Sequence, residues 1–194
     1  MTQNAAWLEF GGDLQPFDKG EYLFTQGKPV ENMYYLESGR ATLLRHTREG
    51  DSVLMHVATA GELVAEASLF SEHYHCSARI EQPSLIYRIE RGQLMQKLSA
   101  QPELYRQLLK LLSQQIRDLR SLIEIRNIRS AEERILAYLR SIADAGGGVE
   151  LEIPLREVAY KLGLAHETLY RCLKKLEGRG LLSRSNPGEL IVKI

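Results

Sequence analysis

Two groups of residues have types and spacings that could do chemistry. The first is His73, His75 and Cys76 in SEHYHCSA, residues 71–78, which puts two imidazoles and a thiol within four positions. Such a set could ligate a metal or haem, act as a redox trigger, or simply fill a β-rich domain. The second is HETLYRCLKK, residues 166–175. On a helix running from about Ala165 to Glu177, His166, Glu167, Tyr170, Arg171, Lys174 and Lys175 point away from the apolar positions. An arginine pairs with guanine O6 and N7 in the major groove, a glutamate accepts from cytosine N4, and lysines neutralise phosphates. Glu167 and Arg171 are four apart, share a face, and are expected to address adjacent base pairs. The plainer alternative is an exposed ion pair worth about 0.3–0.5 kcal/mol.

The elements needed to hold this second group are legible around it. In LREVAYKLGLAHETLYRCLKKLEGRGLL, small Ala159 lets two helices cross closely, and Gly163 four residues later permits a tight turn. Val158, Leu162, Leu164, Leu169 and Cys172 fall where the core between two such helices belongs, so Cys172 reads as a small core residue rather than a nucleophile. A strand from Glu150 precedes the pair. Residues 180–192 follow as a β-hairpin that turns at Asn186-Pro-Gly. Strand, helix, turn, helix and hairpin together spell a winged helix-turn-helix.

Upstream the pattern is different. From Asp18 to about Arg91 the chain reads as short strands: Tyr22–Thr25, Met33–Leu36, Ala41–Leu44 and Ser52–Val57. Gly20, Gly27, Gly39, Gly50 and Gly61 recur at gaps of 7, 12, 11 and 11, a spacing of turns in an all-β sandwich or roll. From Leu94 to about Asn127 the period becomes helical. Tyr105, Leu109, Leu112, Ile116, Leu119, Ile123 and Arg126 follow a 4-3-4-3-4-3 spacing, a heptad seam ending in a charge. Leu108, Leu111 and Leu122 supply a second apolar face. The seam is therefore expected to pair with a second copy of the chain, while the other face packs on the β domain. A further helix is expected from about Ala131 to Ala143, broken by Gly146-Gly-Gly. The expected organisation is α+β: a β-roll over 1–93, a dimerisation helix over 94–129, and a winged helix-turn-helix over 130–194.

Composition limits the remaining classes. The 194 residues are 44% hydrophobic and 26% charged, as in an ordinary globular protein, and no apolar run approaches a membrane span. Residues 1–11 carry no export signal, and two cysteines ninety-six residues apart make no disulfide framework, so a reducing cytoplasm is expected. Net charge is zero but unevenly placed. Residues 1–93 hold eight basic against thirteen acidic groups, and the remainder is basic by five, which suits an anionic partner for the second half. There is no phosphate loop, nucleophile elbow or paired carboxylate cleft, so an enzyme is not expected.

Residues 15 to 194 resemble the cyclic-AMP receptor protein/fumarate–nitrate reductase regulator family of bacterial transcription regulators. The resemblance rests on YLFTQG…YYLESG (22–39), GELVAEASLF (61–70) and HETLYRCLKKLEGRGLL (166–182). It implies a homodimer, double-stranded DNA as partner, RNA polymerase as a further one, and a Glu-Thr-x-x-Arg core that reads a G·C-containing half-site. Glu167, Thr168 and Arg171 match that core. Many members carry Arg at the position of His166 and Ser or Gly at that of Tyr170. The resemblance thus implies DNA contacts from Ala165, His166, Glu167, Thr168, Tyr170, Arg171, Lys174, Lys175 and Arg184, and a dimer seam of Leu109, Leu112, Ile116, Leu119 and Ile123.

The sensor departs from the pattern. Members that bind cyclic AMP resemble one another in a Gly-Glu-Leu turn followed by Arg-Ser, which holds the phosphate. In this chain Gly61 and Glu62 open the segment, the turn is Ala65-Glu66-Ala67, and His75-Cys76 stand at the Arg-Ser position. A neutral imidazole and a thiol replace a guanidinium fork and a hydroxyl. Leu119-Arg120 stand about where a Thr-Ser pair would meet a purine. Cyclic AMP is therefore not the expected effector of this degenerate pocket (Gly61, Glu62, Glu66, His75, Cys76). With no cysteine before Cys76, an iron–sulfur cluster is not expected, and no metal site or cofactor is assigned. Haem or another small ligand at His73, His75 and Cys76 stays open, as does an empty pocket. Only about fifteen residues precede the roll, and a reduced sensor suits a protein active without a ligand. A rival of another class is a ligand-binding module whose helix-turn-helix serves protein interaction.

Overall fold

The computed structural model describes residues 12–47, 49–151, 153–186 and 189–193. They form two compact units, Met1–Lys110 and Leu111–Ile194. In the first, six strands make one antiparallel sheet: β1 (Asp13–Phe17), β2 (Tyr22–Phe24), β3 (Asn32–His46), β4 (Ser52–Thr59), β5 (Leu63–Val64) and β6 (Ser77–Glu90). The order is β1-β6-β3-β4, with β2 also on β6 and β5 also on β3. The two long strands β3 and β6 pair from Asn32↔Glu90 to Leu44↔Ser77 and bury Met33, Leu36, Ala41, Ile80, Ile86 and Ile89.

The two strands expected at Met33–Leu36 and Ala41–Leu44 are one. Gly39 is not a turn but a break in register within β3, at φ +98. A Cβ there would lie 2.0 Å from Ser84 Oγ and 2.7 Å from Ser84 Cα, so both the torsion and the close approach demand glycine. On β6 the ladder skips Pro83 and Ser84 between the pairs Ser38↔Leu85 and Arg40↔Gln82, and Pro83 has no amide to donate there. The bulge bends a 15-residue strand so that one end pairs with β5 and the other with β4. The other four glycines do take positive φ in turns, as expected.

The helical stretch expected from Leu94 is interrupted. Helix α1 (Arg91–Ala100) is capped by the Glu90 carboxylate, which accepts from the amides of Gly92 and Gln93, and it ends at extended Gln101. Pro102 then opens α2 (Pro102–Asn127), at the one helical position where a missing amide costs nothing. Leu94, Leu98, Leu104 and Leu108 are buried in the first unit.

The second unit contains the rest of α2, α3 (Ala131–Ile142), α4 (Leu155–Lys161), α5 (His166–Gly178) and a three-stranded sheet of order β7 (Gly148–Glu150), β9 (Glu189–Val192), β8 (Leu182–Asn186). Ser130 caps α3 by accepting from Glu133 N. One core joins Ile135, Tyr138, Leu139, Val158, Ala159, Leu162, Leu169, Cys172, Leu173 and Leu176 to Val149, Leu182, Leu190 and Val192, with Leu122 and Ile125 of α2 packed against it. The first wing strand and its partner stand where the hairpin was expected. The turn residues Pro187 and Gly188 lie outside the described residues.

Candidate nucleic-acid interface and sensor cradle

The helix-turn-helix is held by backbone and core together. Gly163 adopts φ +64, and the Leu164 amide donates to Ala159 O (2.9 Å) across the turn. Ala159 is buried, as the close helix crossing requires. Arg134 of α3 fixes the turn from outside. Its Nη1 donates to Leu162 O (3.1 Å), while Nε and Nη2 donate to Ile128 O (3.0 and 2.7 Å). Nothing in local sequence marks Arg134 for this role, because its partner is 28 residues away.

Leu169, Cys172, Leu173 and Leu176 anchor α5 in the core, which turns His166, Glu167, Tyr170, Arg171, Lys174 and Lys175 to the exterior. Among the described residues no ion pair joins Glu167 to Arg171, nor does Lys174 have one, so these three charges are unspent. Lys175 is different: its Nζ lies 3.4 Å from Glu132 Oε1, and Arg179 lies 2.9 Å from Glu132 Oε2. On the opposite flank Arg184 of β8 donates from Nε to Glu177 Oε1 (2.5 Å). Two of the expected DNA contacts, Lys175 and Arg184, thus carry exposed pairs, worth about 0–1 kcal/mol each and exchangeable for phosphate. Thr168 is half-buried. Ala165 is the N-cap of α5 and gives no side-chain cap. The rings of His166 and Tyr170 stand 4.5 Å apart, tilted by 57°.

The seam on α2 is exposed within a single chain. Tyr105, Leu109, Ile116, Leu119 and Ile123 range from 46% to 60% exposed, and Leu112 is half-buried.

In the sensor unit, residues 71–76 lie outside the named strands. They form bends with an isolated bridge, Pro29↔His73, and β6 begins only at Ser77. The reason is that Tyr74 is pulled inward, its hydroxyl donating to Asn32 O (2.8 Å) and accepting from Asn32 N (3.0 Å). His73 is exposed, His75 half-buried and Cys76 buried. His75 Nδ1 shares a hydrogen bond with Ser68 Oγ (2.8 Å), and its carbonyl accepts from Arg45 Nε (3.2 Å). Burial, helped by the Arg45 charge, lowers the His75 pKa. Burial pushes the Cys76 thiol up to about 11, so it stays protonated, which is poor for a nucleophile or thiolate ligand. No group of three His, Cys, Asp or Glu among the described residues is placed to hold a metal ion.

The cradle's carboxylates are occupied from within. Glu62 Oε1 accepts from Thr59 N (3.0 Å) and Thr59 Oγ1 (2.9 Å), and Oε2 lies 2.6 Å from His56 Nε2. Burial raises its pKa, but the hydrogen bonds with His56 and Thr59 outweigh this and leave it lowered. Ala65 takes φ +76, a left-handed conformation costing a non-glycine residue roughly 1–2 kcal/mol. It leads into the 3₁₀ turn Glu66–Ser68. Burial raises the Glu66 carboxyl, against the opposing pull of the Glu66 and Ala67 amides and of His56. The turn's amides thus face a carboxylate of the chain's own.

A cyclic-nucleotide-type β-roll joined to a helix-turn-helix with a wing defines a DNA-binding transcription regulator rather than an enzyme. The sequence matches the family described as Cyclic nucleotide-binding domain over residues 14–101 and the Crp-like helix-turn-helix domain over residues 133–193. It is 28% identical over 176 residues to the transcriptional activator protein anr of Pseudomonas aeruginosa, covering 87% of this chain and 72% of that one. It is 27% identical to the fumarate and nitrate reduction regulatory protein of Escherichia coli, covering 87% and 70%. In fold it is similar to FixK2 from Bradyrhizobium japonicum (TM-score 0.76, 18% identity, 94% and 93% covered) and to the c-di-GMP responsive regulator CLP of Xanthomonas campestris (0.71, 20%, 99% and 98%). The chain belongs to the cyclic-AMP receptor protein/fumarate–nitrate reductase regulator family.

Proposed function

We propose that this chain is a homodimeric, cytoplasmic regulator that reads a palindromic promoter site without cyclic AMP and without an obligatory effector. The observation that carries the reading is α5. On a buried helix-turn-helix scaffold it exposes Glu167, Arg171 and Lys174, none of them in an ion pair among the described residues. Arg171 takes guanine and Glu167 the adjacent cytosine, with Lys174, Lys175, Thr168 and Arg184 on phosphates. The row of exposed Leu109, Ile116, Leu119 and Ile123, with half-buried Leu112 between them, supports a two-fold pair of α2 helices, since large apolar side chains at heptad spacing are costly to leave in water. Such a dimer sets half-sites about one helical turn apart. RNA polymerase is the further partner that the family membership suggests.

The occupied cradle supports independence from cyclic AMP. Glu62 is engaged by His56 and Thr59, Ser68 by His75, and the amides of the 65–67 turn face the half-buried Glu66 carboxylate, whose charge opposes a phosphate diester there. Selection of bound sites from random duplex DNA by the purified chain, with and without cyclic AMP, tests the proposal. A palindromic consensus recovered equally in both arms is expected. Recovery of none, or only with the nucleotide, would overturn it.

A further inference from the structure

Resting on that reading of α5, we propose that His166 and Tyr170 act as a paired aromatic reader, in which Tyr170 recognises one thymine of each half-site through its 5-methyl group. Tyr170 is 43% exposed and lies one helical turn from His166, with ring centroids 4.5 Å apart. The neighbouring ring restricts the rotamers of Tyr170 before DNA arrives, which lowers the entropy cost of docking. Along the same flank of α5 lies Glu177, whose carboxylate holds Arg184 of the wing. On the other flank Lys175 and Arg179 are drawn to Glu132 of α3. The aromatic pair therefore occupies the strip between Glu167 and Arg171 on one side and the wing on the other.

A phenol ring lacks the forked donors that read guanine or adenine. The apolar feature of the major groove is the thymine C5 methyl, and an exposed ring packed against its neighbour offers that methyl a flat contact. Tyr170 adds preference for a T·A pair beside the core that Arg171 and Glu167 address, while His166 acts by positioning the ring.

The test uses the full chain and a selected site in which each thymine is replaced in turn by uracil, which keeps every hydrogen-bonding group and removes only the methyl. Binding is expected to fall about fourfold at one thymine per half-site, the worth of one buried methyl. Tyr170→Phe retains that pattern and Tyr170→Ser abolishes it. His166→Ala weakens it without altering the preference for the core G·C pair. Uracil tolerated everywhere by the wild type, or methyl discrimination retained by Tyr170→Ser, overturns the proposal. A uniform loss across all sequences in Tyr170→Phe also overturns it, by assigning the hydroxyl to a phosphate. Failure to select any site overturns the reading of α5 itself, and the two failures are thereby distinguished.

Discussion

The guanidinium of Arg134 on α3 donates to the carbonyl of Leu162, the residue that ends α4, and at the same time grips Ile128 O just beyond α2. One side chain thus closes the C-terminal ends of two helices next to the turn that presents α5. Arg134→Ala leaves the carbonyls of buried Leu162 and half-buried Ile128 without a charged donor and is expected to cost about 2 kcal/mol. Arg134→Lys should recover only part of this, because an ammonium cannot span both carbonyls. Thermal unfolding of the three proteins measures the ranking.

Two glycines should respond very differently to alanine. At Gly163 the torsion is left-handed, and the nearest atom to an added Cβ is Arg126 Nη2 at 3.0 Å, the mobile end of a long side chain. Strain of about 1 kcal/mol is expected. At Gly39 the same torsional penalty is joined by an overlap with the Ser84 backbone that no rotamer relieves. Gly39→Ala should therefore destabilise the roll by several times more, about 3 kcal/mol or beyond. Denaturant midpoints that rank Gly163→Ala below Gly39→Ala would contradict the account of β3.

That contrast also marks what could be read in advance. The helix-turn-helix was legible because its requirements are local: a small residue, a glycine four later and apolar positions in register all fall within eighteen residues, from Leu155 to Cys172. The roll was legible as a class from glycine spacing. Gly39 was misassigned to a turn because a bulge and a turn ask the same φ of the chain, and only the partner strand distinguishes them. Residues 71–73 are all exposed and only Tyr74 and Cys76 turn inward, a path that the distant Tyr74–Asn32 contact fixes. Arg134, Glu132 and the His56–Glu62 pair were invisible for the same reason.

Helix α5 starts without a side-chain cap. Ala165 already has cap torsions, φ −65 and ψ 146, so a hydroxyl could reach the free amides of the first turn with no backbone change. Ala165→Ser is expected to add about 1 kcal/mol of stability, visible as a melting temperature higher by several degrees. A fall in melting temperature would mean that the amides are already served.

Burial holds the Glu66 carboxyl above its usual range. A raised folded-state value means that ionisation opposes folding. The wild type is therefore penalised above the folded pKa and not below the unfolded one. Glu66→Gln removes the charge, so its stability relative to wild type should be higher at pH 7 than at pH 4, with the difference closing as pH falls. Glu62 behaves oppositely: its lowered value stabilises the fold above the unfolded pKa, and this is lost as pH falls through the folded one. Glu62→Gln should accordingly destabilise at pH 7 and approach wild type in acid. Unfolding curves across this range, with the two variants moving in the same direction, would refute the assignment of roles in the cradle.

The three cations on α5 should separate by function. Arg171→Ala removes a bidentate base contact and is expected to cost about 1–3 kcal/mol on the selected site while leaving non-specific binding nearly intact, so the G·C preference collapses. Lys174→Ala removes a phosphate contact and should weaken all sequences alike, with the salt slope reduced by about one. Lys175→Ala should do the same more weakly, because Lys175 must first leave Glu132, and Glu132→Gln should strengthen binding by freeing both Lys175 and Arg179. Titrations at two salt concentrations on selected and scrambled DNA resolve the three patterns. If Arg171→Ala and Lys174→Ala gave the same pattern, the division between base reading and phosphate contact along this helix would be wrong.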